Sequence, residues 1–390
     1  MRITPTVSVV LATYNRSAYL REAIASVLAQ TFQAFELIVV DDGSGDDTAA
    51  VVAGFDDARI RYTYQENAGQ SAALNRGLAL ARGEFIAFLD DDDRYLPHNL
   101  ATQVAFLEAN PEIGLVGANV ELIAADGAYL RDREGWRESR ELDWPACLYA
   151  CPLVPSAVVL RSRWLHDLET WFDPALVRFQ DVDFWTRLHL AGCRMRWAPE
   201  IVSAYRQHPG QMQHDAERYY RSYLRTLDKL YARPDLSPAL RAEQPALYGH
   251  YHLLGACGAC AAGDLDAGRQ RLRLAAEAYP ALVQGAPPAM AVALAGIAQS
   301  VAGEDAPDLV AAVFDTLPLE LAYLRPWRRH ALSALRMQRV FAVRTGGAPP
   351  QLRDWTQGVW LNPRWLTNRG VWSILVRDLL LHKLAPGARL

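Results

Sequence analysis

Lysine is almost missing from this chain: of its 40 basic residues only Lys229 and Lys383 are not arginine. That bias points to a GC-rich bacterial coding sequence and to nothing structural. Cysteine is scarce as well, with five residues (Cys147, Cys151, Cys193, Cys257, Cys260) in 390. An odd number in a long chain, with no secretory hydrophobic segment ahead of it, argues against a disulfide framework and is what a reduced, cytoplasmic protein would show. "CGAC" at 257–260, with His250 and His252 just upstream, would permit a metal site. Two small apolar residues on one face of an alanine-rich helix is the simpler reading. Uninterrupted apolar runs are lacking too. Residues 278–303 carry no charge, but Pro280, Gln284, Pro287, Pro288 and Gln299 break them into a poor membrane span and a good buried helix. Two phosphate cradles are also absent. No G-x-G-x-x-G follows the first apolar strand, which removes the dinucleotide fingerprint, and no Walker A sequence is present.

What is there reads as an ordinary globular protein, 51% hydrophobic and 22% charged, long enough for two domains. Its net charge of −4 conceals an asymmetry. Residues 321–390 hold 12 Arg/Lys and only Asp354 and Asp378, a balance of +10, which leaves −14 for the rest. An acidic body with a basic tail suggests contact with an anionic surface; a nucleic-acid partner is not expected.

The first half alternates strand and helix signals. Apolar strands are predicted at 6–12, 35–40, 59–65 and 85–89, with helical spacing at 17–30 (Leu20, Ile24, Val27, Leu28) and 70–83, and Pro97 opening a further helix. Such alternation argues for an α/β fold with a doubly wound, mostly parallel sheet. Three polar clusters, "TYNR", "DDGS" and "DDDD", each follow a strand end, so they should converge where open sheets bind ligands.

"GEFIAFLDDDDRYLP" (83–97) poses the sharpest question, because Asp90, Asp91, Asp92 and Asp93 stand together at the end of a buried strand. Two such charges about 4 Å apart repel by roughly 4 kcal/mol near a protein surface. Either the run is a solvated acidic turn or a cation sits there. Without a glycine-rich cradle, a pyrophosphate bound at this edge would need a divalent cation held by carboxylates, Mn²⁺ or Mg²⁺.

At these residues the chain resembles the family 2 glycosyltransferases, which use the GT-A nucleotide-diphospho-sugar fold. "VSVVLATYNR", "FELIVVDDGSGDDT" and "QENAGQSAALNRGLALARGEFIAFLDDDD" carry the resemblance in order, and it extends over about residues 5–210. It implies a GT-A domain over 1–214 with Ala12, Thr13, Tyr14 and Asn15 lining the base pocket. Asp42 would accept from a base N–H, which suits uracil best and leaves guanine open. Asn67 and Asn75 would lie along the nucleotide, Asp91 would face the ribose with Asp90 close by, and Asp92 would hold the metal. Leu74 stands where the family often has arginine. In "FQDVDFWTRLHLAG" (179–192) the resemblance makes Asp181 the catalytic base, with Gln180 in place of the usual glutamate. Asp183 then falls in the first turn of the helix, where the dipole favours a carboxylate. His208 is implied as a further metal ligand or a diphosphate contact.

The Q-x-x-R-W element of processive synthases is absent, so one sugar per encounter is expected, by inverting transfer from a UDP-sugar to a saccharide or lipid-linked saccharide. A sugar-phosphate nucleotidyltransferase and a non-catalytic scaffold are the alternatives. "ATYNRSAYL" is not the glycine- and arginine-rich loop the former needs, and the retained Asp92 and Asp181 argue against the latter.

Residues 215–390 fall outside the clear resemblance and read as a helical domain. "ALYGHYHLLGACGACAAGDLDAGRQRLRLAAEAYP" resembles one tetratricopeptide-type hairpin, in a single copy. "PWRRHALSALRMQRVFAV" (326–343) is amphipathic and basic, and Trp355, Trp360, Trp365 and Trp372 follow among arginines. That pattern suits peripheral contact with the inner face of a membrane. A solvated helical face with core tryptophans is the competing reading.

Overall fold

The structure is a computed structural model that describes residues 5–135, 142, 144–208, 216–342 and 352–368. The chain divides into two compact units, residues 1–214 with 225–240 and residues 215–224 with 241–390.

The first unit is built on one mixed sheet. Strands β1 (Val7–Thr13) and β2 (Phe35–Asp41) are buried along their whole length, as strands covered by helices on both faces must be. They pair in parallel from Val7 opposite Phe35 to Thr13 opposite Asp41. β3 (Ile60–Tyr64) runs parallel to β2, and β4 (Phe85–Phe88) runs parallel to β1 on its other side. The chain thus moves outward from β1 to β3 and returns across it. The reversal lies between the C-terminal ends of β1 and β4, the position where sheets of this type receive ligands. Beyond β4 the order continues through β8 (Val158–Arg161), β6 (Leu115–Ile123), β9 (Met195–Arg206) and β5 (Arg94–Tyr95), with β7 (Tyr129–Arg133) on β6. β8 is antiparallel to both neighbours, and β6 and β9 are parallel. The expected doubly wound α/β architecture is present.

Helices α1 (Ser17–Leu28), α2 (Thr48–Ala53), α3 (Gln70–Leu80), α4 (Asn99–Ala109), α5 (Ala146–Tyr149) and α6 (Gln180–Leu190) fill the connections. α1 buries Leu20, Ala23, Ile24 and Val27, the stripe its spacing predicts. α3 lies so close to β1 that a Cβ on Gly77 would stand 2.4 Å from Val10 Cγ1. α3 also stops three residues short of the predicted Gly83. The N–H groups of Arg82 and Gly83 donate to Ser8 Oγ at 3.0 and 2.9 Å instead of continuing the helix, and Arg82 N also donates to Glu36 Oε1 at 2.9 Å. Pro97 does not open a helix. Tyr95 pairs with Ser203 in the short β5–β9 ladder and Leu96 N donates to Val202 O; Pro97 and His98 then form a turn closed by Asn99 N donating to Leu96 O, and α4 begins at Asn99.

The second unit is helical. α7 (Ala216–Tyr231) and α8 (Pro238–Ala242) are each shared between the units. α9 (Gln244–Ala261) and α10 (Leu265–Ala278) form the predicted hairpin; Gly263 turns at φ +82° and the Asp264 carboxylate accepts from Ala267 N at 3.0 Å. Cys257 and Cys260 are buried along α9, and burial pushes both thiols up. α11 (Ala289–Ala302), drawn from the uncharged stretch, sits in the helical core beside α12 (Ala306–Thr316). No helix among the described residues is long and apolar enough to cross a membrane. α13 (Arg328–Ala342) spends its apolar face internally through Ala331, Leu335, Met337 and Val340, the last two packed by Trp355 of α14 (Leu352–Leu361) and by Trp365. Trp360 is 71% exposed. The remaining tail residues, including Arg344, Arg369, Trp372, Arg377, Lys383 and Arg389, lie outside the described residues.

Candidate active site

The three polar clusters meet where the sheet reverses. After β1, Asn15 takes a left-handed conformation at φ +52°, which asparagine tolerates better than most residues. Its Oδ1 accepts from Gly45 N at 2.8 Å, and its own N–H donates to Ser44 Oγ at 2.9 Å. The "TYNR" and "DDGS" loops are thereby zipped together. Asp46 secures the same junction by accepting from the N–H of Ser17 at 3.0 Å and of Thr48 at 3.1 Å, the first residues of α1 and α2. Although burial works against ionisation, the bonds from Thr48 and Ser17 pull its carboxyl down to about 2. Ala12 is buried in β1, and Tyr14 extends half-exposed from the loop.

Of the acidic pair ending β2, Asp41 accepts from Tyr62 Oη at 2.7 Å and Ser44 N at 2.8 Å. Asp42 accepts from Gln65 Nε2 at 2.7 Å, Ala68 N at 2.9 Å and Gly69 N at 2.8 Å. A carboxylate offers about four acceptor positions, so one on Asp42 Oδ2 is left for a base. The visible work of Asp42 is to fold 65–69 into the start of α3. Gly43, at φ +85°, makes room for that segment, since a Cβ there would lie 2.7 Å from Asn67 N. Asn67 itself is exposed.

Each carboxylate of the aspartate run has a separate environment. Asp91 Oδ2 accepts from Thr13 Oγ1 at 2.8 Å, and Asp91 Oδ1 from Arg16 Nη1 at 3.0 Å. Asp92 Oδ2 lies 2.6 Å from Arg16 Nη1 and 3.0 Å from His208 Nε2. Asp93, fully buried, accepts from Ser156 Oγ at 2.6 Å and Arg206 N at 2.9 Å. It anchors the turn. The Arg206 guanidinium, also buried, donates to the Asp92 carbonyl at 2.7 Å, to Ala125 O at 2.9 Å and to Glu22 Oε2 at 2.7 Å. Asp90 is pushed up to about 8 by burial and then by Asp92, Asp91 and Asp181, and Asp91 up to about 6 by burial against the pull of Arg16.

A cation does stand at the run, and it belongs to the chain. Sequence reasoning passed over Arg16, the last residue of "TYNR". The available signal was its position at the same sheet edge as the only four-carboxylate run in the chain.

Across the site, Asp181 lies in the first turn of α6 and is held above the usual carboxylate range by burial. Phe179, just ahead of the helix, is left-handed at φ +59°, a cost of order 1–2 kcal/mol that marks an over-determined segment. Gln180 Nε2 donates to Gln70 Oε1 at 3.0 Å, and Gln70 Nε2 lies 3.3 Å from Asp90 Oδ1. A polar thread thus joins the start of α6 to the aspartate run. Asp183 points away from this chemistry and pairs with Arg187 at 2.8 Å and Lys229 at 3.1 Å. Asn75 has a structural task in the fold. Both ends of its amide are engaged by Phe172, Nδ2 donating to Phe172 O at 2.7 Å and Oδ1 accepting from Phe172 N at 2.8 Å. It fixes the segment that leads to Asp181 against α3.

For a divalent cation, no three His, Cys, Asp or Glu groups among the described residues are arranged as a complete ligand set. Asp92 and His208 nonetheless present a carboxylate and an imidazole 3.0 Å apart. That donor chemistry fits Mn²⁺ or Mg²⁺ completed by phosphate oxygens and water, the usual habit of these ions.

Comparison with known proteins agrees with this layout. The sequence profile of Glycosyl transferase family 2 matches residues 8–157. An uncharacterized glycosyltransferase of Methanocaldococcus jannaschii is 34% identical over 211 residues, 52% of this chain and 71% of the relative. The chain belongs to glycosyl transferase family 2. An uncharacterized family relative from Rickettsia typhi is 32% identical over 187 residues, 43% of this chain, and the chain spans only 58% of that protein's length. Among solved structures, Staphylococcus aureus TarS residues 1–349 with UDP-GlcNAc superposes at TM-score 0.51 with 19% identity, covering 87% of this chain and 92% of that one. The mannosyltransferase PcManGT of Pyrobaculum calidifontis, with GDP-Man and Mn²⁺, gives 0.50 with 20% identity, covering 85% and 86%. Those likenesses establish the fold of this family 2 chain, a GT-A α/β domain followed by a helical region.

Proposed function

We propose that this protein is an inverting glycosyltransferase that moves one sugar from a nucleotide-diphospho-sugar, a UDP-sugar in the first instance, to a hydroxyl of a saccharide or lipid-linked saccharide. The observation that carries the reading is the convergence of Thr13, Asp42 and the Asp91–Asp92 pair at the sheet reversal, with Asp181 close enough to Asp90 to raise it. Residues 1–214 would hold both substrates, and 215–390 would form the helical domain. The related folds that carry UDP-GlcNAc and GDP-Man support a nucleotide-sugar donor.

Tyr14 and Asp42 would take the base, Tyr14 by its exposed ring and Asp42 through its remaining acceptor position. Asp92 and His208 would hold the divalent ion. When bound, the ion would offset the charge that develops on the leaving diphosphate. Asp181 would take the proton of the acceptor hydroxyl as it attacks the anomeric carbon from the face opposite the diphosphate. Its raised pKa makes it a stronger base than a solvated aspartate. A direct displacement of this kind inverts the anomeric centre. Synthesis of cell-surface glycoconjugates at the cytoplasmic face of the membrane is the setting such substrates imply.

The test is turnover of a panel of UDP- and GDP-sugars with Mn²⁺ or Mg²⁺, run beside Asp181→Asn. The variant should lose about 10²–10⁴-fold in kcat, the range of a general base, while still being thermally stabilised by the nucleoside diphosphate. Full transfer by Asp181→Asn would overturn the assignment of the base.

A further inference from the structure

We infer that Arg16 is a built-in counter-cation that competes with the divalent metal for Asp92, so that metal enters fully only when Arg16 has let go. The inference rests on the proposal that Asp92 and His208 receive the metal. Asp92 Oδ2 already has two partners, Arg16 Nη1 at 2.6 Å and His208 Nε2 at 3.0 Å. A carboxylate oxygen has two lone pairs, and both are engaged. His208 Nε2 faces Oδ2, so an ion shared by Asp92 and His208 would approach that oxygen rather than Oδ1, and there the Arg16 guanidinium opposes it by contact and by like charge.

The same Nη1 also bonds Asp91 Oδ1 at 3.0 Å, so one arginine bridges both carboxylates of the pair. Its positive charge offsets part of the repulsion between Asp91 and Asp92. The arrangement is also releasable. Arg16 sits in the loop between β1 and α1, and 29% of its side chain is exposed, against 8% and 9% for the two aspartates it binds. It can swing outward while they cannot. A diphosphate is the natural recipient, because guanidinium groups bind phosphate oxygens in a bidentate fashion. The donor would then draw Arg16 off Asp92 and open that oxygen to the ion. Metal and donor would therefore bind cooperatively, with Arg16 as the shared element, and linkage requires the effect to be reciprocal.

The experiment is a Mn²⁺ titration of the full chain without nucleotide, followed by the electron paramagnetic resonance signal of free Mn²⁺. Arg16→Gln should bind Mn²⁺ about tenfold tighter than the unaltered protein, an ordinary size for linked sites. Adding Asp92→Asn to Arg16→Gln should abolish the gain. Arg16→Lys should fall between, because lysine keeps the positive charge on a side chain one atom shorter and so reaches the carboxylates less closely. Arg16→Gln binding no tighter than the parent would overturn the inference, and so would a gain that survives Asp92→Asn. If Arg16→Gln fails to melt cooperatively, Arg16→Lys decides in the same way, tighter binding supporting the inference and unchanged or weaker binding overturning it. Turnover of nucleotide sugars is scored separately. Tighter Mn²⁺ binding in a chain with no transferase activity would leave the counter-cation standing and remove the enzyme reading, and active enzyme with unchanged Mn²⁺ affinity would do the reverse.

Discussion

At the scale of single residues, the charges of this site are arranged by neighbours far away in sequence. Asn75 illustrates what that means for a substitution. Its amide is held at both ends by the Phe172 backbone, so Asn75→Ala should cost about 1–2 kcal/mol in stability from the two lost bonds. It should raise the KM for acceptor more than that for donor, because the freed segment leads to Asp181. Steady-state kinetics with both substrates varied, beside a denaturant melt, measure both effects; an increase confined to donor KM would return Asn75 to the nucleotide. Residue roles were unevenly legible. Asp92 and Asp181 stand at positions where short motifs place them. The partners of Arg16 and Asn75 were not legible, because the motif names a residue type while the partner is supplied by the fold: two carboxylates 75 and 76 residues away for Arg16, a backbone 97 residues away for Asn75.

Secondary-structure elements were easier to read. β1, β2 and β4 are apolar runs buried on both faces, and nothing but a covered parallel strand suits them. The boundaries failed where side chains captured backbone groups. Glu36 is the clearest instance. Buried in β2, it accepts from Ser8 Oγ at 2.7 Å and from Arg61 and Arg82, and with Ser8 it ends α3 early. Burial opposes its ionisation, yet the bonds from Arg82, Ser8 and Arg61 hold its pKa below the ordinary glutamate value. The unfolded chain therefore takes up this proton at a higher pH than the folded one. The stabilisation is complete above about pH 4.5 and is lost as pH falls through the lower folded value. Glu36→Gln should cost roughly 1–3 kcal/mol at neutral pH, and the gap to the parent should narrow in acid. Melting both proteins between pH 6 and 3 checks this; a gap that stayed constant would mean that Glu36 acts by shape rather than charge.

For the whole molecule, a sheet-based part followed by a helical region was visible in the change from alternating strand and helix signals to helical ones, while the return of residues 225–240 to the first unit was not. The purpose of the basic tail was not. Trp355 and Trp365 pack against Met337 and Val340, which leaves Trp360 as the exposed tryptophan among the described residues of that stretch. Arg329 lies over it, with its guanidinium carbon 5.3 Å from the ring centroid. Contact with an anionic membrane, if the tail makes it, should then depend mainly on charge. The protein should co-sediment with vesicles containing phosphatidylserine in low salt and be released at about 0.5 M salt, where screening shortens electrostatic reach to a few ångströms. It should ignore neutral vesicles under both conditions. Binding that persisted in high salt would point to apolar insertion instead.

Asp93 carries a last consequence, for the order in which the chain assembles. Its partners, Ser156 and Arg206, lie 63 and 113 residues further along. Until β9 has closed onto the sheet, four adjacent carboxylates have no complete set of donors and repel one another. Contacts of such long sequence separation pay their loop-closure entropy before they return anything. The aspartate turn should therefore acquire its native form among the final steps of folding. A nascent chain released before residue 206 would have its first four strands and helices in outline, yet no place to bind.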